Sequence, residues 1–434
     1  MTHRRLRSLV EILALLGFVA SGDPSLGAAR HPAHEATEAP DIIRALIGGK
    51  LDLDMRFRWE NAKIDGFRRS NAVTLRTRLA YGTKPYYGFM AYAGFENIVA
   101  LKNENYFDGI APNSGGRTPI PDPEHTEIDQ AFLKWSSDGL GDGAFARSRT
   151  SLLGGRTKIV LDDSRFIGNV GWRQNQQTYD AGLIRSSLGL EGLATTYGYL
   201  FQVHRIFGDQ GASGAPTLDF DSDSHFLNAT YSGFRPLAIT VFGYWLDFSN
   251  SPANSSDTYG FRATGKTDLG EDLYVGYTGS YAHQQQARRN PIHYDANYYN
   301  IEGVLGYEPW VALTLGYEVL GSDGGLTQFR TPLATAHKFN GWADVFVDNG
   351  GVIGLEDLYV AITPTLPCGL KGRLVYHHFQ SNDGNLDYGD EIDGVLSKEF
   401  DRWFTLLAKF AYYDGGRSGR ADRHRIWLEA RFQF

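Results

Sequence analysis

Arg425-Ile426-Trp427-Leu428-Glu429-Ala430-Arg431-Phe432-Gln433-Phe434 alternates polar and apolar residues without a break and stops on an aromatic side chain. Successive side chains of a strand point to opposite faces. Ile426, Leu428, Ala430, Phe432 and Phe434 therefore share one face, and Arg425, Trp427, Glu429, Arg431 and Gln433 share the other. One face for lipid and one for water is the pattern of a transmembrane β-barrel strand. The competing reading, a soluble sandwich, leaves a terminal Phe exposed opposite a charged face with nothing to cover it.

The same alternation opens at Leu51, where Leu51, Leu53, Met55, Phe57 and Trp59 interleave with Asp52, Asp54, Arg56, Arg58 and Glu60. It recurs at 72–82, 86–97, 127–136, 152–161, 177–188, 192–205, 224–233, 237–248, 258–266, 272–282, 296–307, 311–320, 338–346, 355–366, 370–380, 391–400, 403–413 and 424–434. These lengths lie near the roughly 9 to 11 residues of a tilted membrane strand. The resulting count is odd, whereas single-chain bacterial barrels close with an even number. Short turns at Gly82-Thr83-Lys84-Pro85, Gly189-Leu190-Glu191-Gly192, Gly233-Phe234-Arg235-Pro236, Glu308-Pro309 and Phe400-Asp401-Arg402 belong to the periplasmic side. Counting back from the carboxyl terminus then makes 311–320 an upward strand and 355–366 a downward one. Residues 338–346 thus fall inside one long outer loop, 321–354, with Trp342 and Phe346 folded over the mouth. Eighteen strands and nine outer loops remain. The other long outer loops are 98–126, 162–176, 206–223 and 283–295.

The amino terminus carries a basic stretch, His3-Arg4-Arg5-Leu6-Arg7, a short apolar run from Ile12 to Ala20, and small residues at Leu26-Gly27-Ala28-Ala29. This is the layout of a secretory signal peptide over 1–29, followed by a short periplasmic arm, 30–50, and a barrel over 51–434. The apolar run is too short for a spanning helix, which takes about 20 residues, and a chain without one crosses lipid only as a closed barrel. Hydrophobic residues make up 42% of the 434, a content that suits half-polar strands and not a helical membrane protein. Aromatics reach 13%, as expected of interfacial girdles. The single cysteine, Cys368, excludes an internal disulfide, and the net charge of −8 argues against nucleic-acid partners. The expected surroundings are outer-membrane lipid and lipopolysaccharide, with Phe434 presented to the barrel-assembly machinery.

One segment breaks the strand-and-turn texture: Gly154-Gly155-Arg156-Thr157-Lys158-Ile159-Val160-Leu161-Asp162-Asp163-Ser164-Arg165-Phe166-Ile167-Gly168-Asn169-Val170-Gly171-Trp172-Arg173-Gln174-Asn175. It is too polar for lipid and too rich in Arg, Asn, Gln and Trp for an idle loop. This run, with Phe339-Asn340-Gly341-Trp342-Ala343-Asp344, Tyr376-His377-His378-Phe379 and Tyr388-Gly389-Asp390-Glu391, resembles the alginate-export family of outer-membrane barrels over roughly 45–434. The resemblance implies an eighteen-stranded barrel that exports an acidic polysaccharide such as alginate.

A pore for anions needs inward cations, because a carboxylate leaving bulk water must be compensated by charge-assisted hydrogen bonds. Alternation turns Arg56, Arg58, Arg76, Arg78, Arg156, Lys158, Arg262, Lys371, Arg373, Lys409, Arg425 and Arg431 inward, together with Asp52, Asp54, Glu60, Glu96, Glu302, Glu391, Asp393 and Glu429. Two readings stand side by side: a selective ladder, or salt bridges that only stiffen the wall. Arg56 and Arg58 sit where they can pair with Glu429 across the closure. In the 162–176 loop, Asp162 and Asp163 are expected to anchor to wall arginines, with Trp172, Gln174 and Asn175 bracing, Gly168 and Gly171 supplying tight turns, and Arg165 and Arg173 facing the solute. Asp219, Asp221 and Asp223 have the spacing of a calcium loop, but Ser224 and Thr230 replace its Gly and Glu; a solvated acidic loop is the alternative. His377 and His378 point to opposite faces, against a paired metal site, and no cofactor is called for. No GxSxG, HExxH or P-loop is present. The functional expectation is a channel for anionic or sugar-like solutes, with a general diffusion or nutrient-uptake porin as the alternative and an outer-membrane hydrolase behind it.

Overall fold

A computed structural model describes residues 41–102, 105–110, 115–138, 143, 147–208 and 218–434. The proposed signal peptide lies outside the described residues. The arm contains a short helix, α1 (Asp41–Ile47), docked on the barrel where the Leu46 carbonyl accepts from the Tyr81 hydroxyl.

Eighteen antiparallel strands follow. They are β1 (Lys50–Ile64), β2 (Ser70–Gly82), β3 (Phe89–Lys102), β4 (His125–Ser136), β5 (Ser151–Thr157), β6 (Thr178–Ser186), β7 (Leu193–His204), β8 (Asp219–Phe234) and β9 (Leu237–Leu246) in the first half. The second half holds β10 (Ser256–Asp268), β11 (Leu273–Gln286), β12 (Asp295–Tyr307), β13 (Val311–Leu320), β14 (Leu355–Leu366), β15 (Leu370–Gln380), β16 (Asp387–Phe400), β17 (Phe404–Asp414) and β18 (Arg423–Gln433). Each pairs with its sequence neighbours and β1 pairs with β18, so the sheet closes and no edge is left for lipid to meet. The closing register sets Arg58 opposite Glu429, and the two bond at 2.7 Å. Phe57, Leu133, Val241, Leu313, Leu315, Ile362 and Leu428 lie exposed on the outer face, where lipid covers them. Aromatic residues gather at the turn end, where Trp403 stacks on Phe434 at 5.0 Å.

Two boundaries differ from the sequence reading in ways that bear on the site. β5 stops at Thr157 rather than 161, because the chain leaves the wall there and enters the lumen. β8 begins at Asp219, so the acidic stretch is strand and not loop. Asp219, Asp221 and Asp223 occupy alternate positions of an extended chain, which cannot wrap a cation. Asp219 accepts instead from Gln202 and Asp223 from Tyr199.

The lumen is not simply water-filled. The inner wall over β6–β13 is apolar, with Tyr179, Leu183, Phe226, Phe242, Tyr244, Tyr298 and Leu320, and on it pack Ile159, Leu161 and Ile167 from loop 158–177 and Phe329, Leu333, Val345 and Phe346 from loop 321–354. Strand β9, Leu-Ala-Ile-Thr-Val-Phe-Gly-Tyr-Trp-Leu, is apolar on both faces, so its inward Phe242 and Tyr244 are hidden from any reading by alternation.

Candidate functional site

The site is built on a row of like charges. The register of β18, β1 and β2 sets Arg431, Arg56 and Arg76 side by side on the inner wall. Like charges on adjacent strands repel, so the row needs acceptors. Asp54 supplies two, taking Arg76 and Arg431 at 2.7 Å each. Arg56 is satisfied by the inserted loop: it donates to Gln174 Oε1 at 2.9 Å, to the Gly171 carbonyl at 3.1 Å and to the Arg173 carbonyl. Gln174 in turn donates to Thr74 and, through its backbone, to Asp122. The loop is thus held against the cationic row by its own carbonyls.

Two other arginines of the loop are buried and paired. Arg165 forks onto Glu318 at 2.8 and 3.1 Å and reaches Asn340 at 3.0 Å. Arg173 donates to Glu60 at 3.3 Å and Asp344 at 2.6 Å. Asp163 accepts from Arg262 at 2.5 Å, whereas Asp162 accepts from Asn228, an amide and not an arginine. Asn175 donates to the Arg205 carbonyl. The backbone places its left-handed residues at Asp162, Ser164 and Val170 rather than at the glycines. Val170 at φ 50° is strained for a β-branched residue, and its N–H is held by Thr335. Gly168 serves a different need: a Cβ there would lie 2.3 Å from Thr335 Oγ1.

The loops 158–177 and 321–354 lock together over a buried lysine. Lys409 Nζ sits 4.0 Å from the Trp172 ring centre and 3.8 Å from that of Trp342, and it donates to His337 Nε2 at 2.8 Å. His337 donates through Nδ1 to Asp344 at 2.7 Å and stacks on Trp172 at 4.7 Å. Arg58 covers Trp172 at 4.2 Å. Burial, with Lys409 and Arg173 close by, pushes the His337 imidazole down to about 3, so it is neutral, in keeping with an Nε2 that accepts. Burial works against the Asp344 carboxylate, yet His337 and Arg173 hold it well below the usual carboxylate range. Wall carboxylates complete the clasp: Glu391 accepts from the Ala343 N–H at 2.6 Å and Asp393 from the Trp342 N–H at 3.0 Å.

On either side of this clasp lies a cavity. The outer one, about 600 Å³, is lined by Arg173, Arg205, Arg423 and Arg425, by the neutral His337 and, as its one carboxylate among the described residues, by Asp344. The inner one, about 670 Å³, is lined by Lys50, Arg76, Arg78, Lys158, Arg402 and Arg431 against Asp52, Asp54 and Asp129. Most wall cations have carboxylate partners, including Arg78 with Glu96, Arg156 with Asp180 and Arg425 with Glu60. Lys158 has no ion pair among the described residues and is exposed. Arg373 donates to Thr363 and, among the described residues, has no ion pair; it borders a mixed-charge recess with Arg262, Glu302 and Asp357.

Sequence reasoning found the loop and the wall arginines but not Glu318, His337 and Asp344, which partner them. The signal present was the Phe339–Asp344 segment, noted as a motif without a role. Of the two adjacent histidines, His377 is buried against Asp357 and His378 pairs with Asp390 on the other face.

No known protein family matches the sequence, and no curated protein does. The structure is similar to that of Pseudomonas aeruginosa OpdK determined with vanillate, at 17% identity and a TM-score of 0.68, with 90% of this chain and 99% of that one covered. A second OpdK structure, described as an outer membrane protein, gives a TM-score of 0.65 at 17% identity over 90% and 99% of the two chains. Acinetobacter baumannii OccAB4 gives 0.66 at 14% identity over 88% and 97%. These findings correct the resemblance to alginate exporters: the barrels that this one superimposes on are Opd and Occ porins. The chain is an eighteen-stranded outer-membrane β-barrel.

Proposed function

We propose that the chain is a passive channel for small anionic solutes, carboxylates foremost. The observation that carries this reading is the excess of cationic side chains in both cavities flanking the clasp. A carboxylate moving between them exchanges water for guanidinium and ammonium donors at every step. Two further points support small solutes over a polymer. Loops 158–177 and 321–354 fill the centre of the lumen, and OpdK was determined with vanillate, a small aromatic carboxylate. The uptake-porin alternative therefore displaces the polysaccharide one, and a hydrolase has no support from the channels that share the fold. The reading also assigns Phe434, at the end of β18, to recognition by the barrel-assembly machinery.

Reversal potentials of single channels in planar bilayers under a KCl gradient test it. Anion selectivity, with current reduced by millimolar vanillate or benzoate, is expected. Unselective conductance indifferent to both would leave only a general diffusion pore.

A further inference from the structure

The β3–β4 register sets Glu96 directly opposite Glu127, and His125 lies on the same inner face two residues away. Carboxylates facing each other on paired strands repel, and here Glu96 is fully buried. Its Oε2 accepts from Arg78, while its Oε1 is buried with no hydrogen-bond partner among the described residues. The His125 side chain is 6% exposed. Its Nδ1 lies 3.3 Å from the Pro123 carbonyl oxygen, to which it donates. Its Nε2 is buried without a hydrogen bond among the described residues, 3.5 Å from Glu127 Oε1. The three ligand atoms all lie within 4.8 Å of one another.

An imidazole whose Nδ1–H is spent on a backbone carbonyl presents a lone pair at Nε2, as metal-binding histidines do. A lone pair aimed at two carboxylates is repulsive until a cation sits among them. One nitrogen and two carboxylate oxygens form a donor set for zinc and related divalent ions, with water completing the shell. We propose that Glu96, His125 and Glu127 form a zinc-type divalent metal site on the lumen wall. Glu127 keeps a side chain 20% exposed through which the ion enters. Arg78, which bonds Glu96, also lines the inner cavity, so an occupied site adds positive charge beside it. The proposal stands independently of the transport reading.

The test uses the full barrel in detergent, stripped with EDTA, dialysed and titrated with zinc chloride by calorimetry, with bound metal counted by elemental analysis. One zinc per chain is expected, with affinity lowered at least about tenfold in both His125→Ala and Glu127→Gln. His378→Ala, which alters a histidine on the outer face, should bind as the unaltered protein does. Heat-shifted migration on gels confirms that each variant is folded. Zinc uptake by His125→Ala and Glu127→Gln as tight as that of the unaltered barrel would overturn the site. So would no uptake by the unaltered barrel, which would leave His125 as a protonated ion-pair partner of Glu127.

Discussion

Arg165 and Lys158 enter the lumen on the same segment, and their surroundings give them opposite work. Arg165 is enclosed, with its guanidinium fully engaged by Glu318 and Asn340. Removing one partner of a buried ion pair strands the other charge, at a cost of about 3 to 5 kcal/mol. Arg165→Ala should therefore lower the denaturant midpoint of the barrel sharply and leave the reversal potential nearly unchanged. Lys158, exposed in the inner cavity, should behave the other way. Lys158→Ala is expected to move selectivity toward cations with stability altered by less than about 1 kcal/mol. A selectivity shift on Arg165→Ala in a barrel of unchanged stability would contradict this division. Alternation along a strand told which residues face inward; it carried no information on which of them a loop would later cover.

At the scale of elements, the two inserted loops form a latch whose hinge is a neutral histidine. His337 is held near 3 by burial, against an ordinary value of 6.5. A depressed histidine binds its proton in the unlatched state first, so the latch keeps its full stability above about pH 6.5 and loses it as pH falls toward 3. Between those limits the loss is about 1.4 kcal/mol per pH unit. Asp344, also held low, acts in the same direction, though at more acid pH. Lys409, Arg173 and the rings of Trp172 and Trp427 are the other groups facing His337. Single-channel records at pH 7.5 and pH 5 should show a larger or noisier conductance at the lower value, and His337→Asn should flatten that dependence. Identical traces at the two pH values would count against the latch. The long loop itself was legible from strand parity. Its inward fold was not, because the apolar face that receives it belongs to strands such as β9 whose two faces look alike in sequence.

At the scale of the whole molecule, closure depends on one seam. β1 meets β18 with Arg58 bonded to Glu429 in register, and the nearest alternative carboxylate for Arg58, Asp122, is 3.8 Å away. Glu429→Gln leaves a buried guanidinium short of its counter-charge, at about 3 kcal/mol. The unboiled protein should migrate as a compact band and give a strand-dominated circular dichroism spectrum. In the variant the compact band should be lost at a lower temperature. Equal melting of the two proteins would place the stability of the seam in backbone pairing alone.

Eighteen strands and their two faces followed from the sequence, because the pleat converts position directly into orientation and a closed barrel forces an even count. The cationic inner face followed by the same rule. Tertiary structure alone decided what that face does. Glu318 lies far along the chain from Arg165, and Asp344 from Arg173; Glu96 meets His125 only through a strand register. Such meetings depend on how loops return into the lumen, and no local period encodes that path.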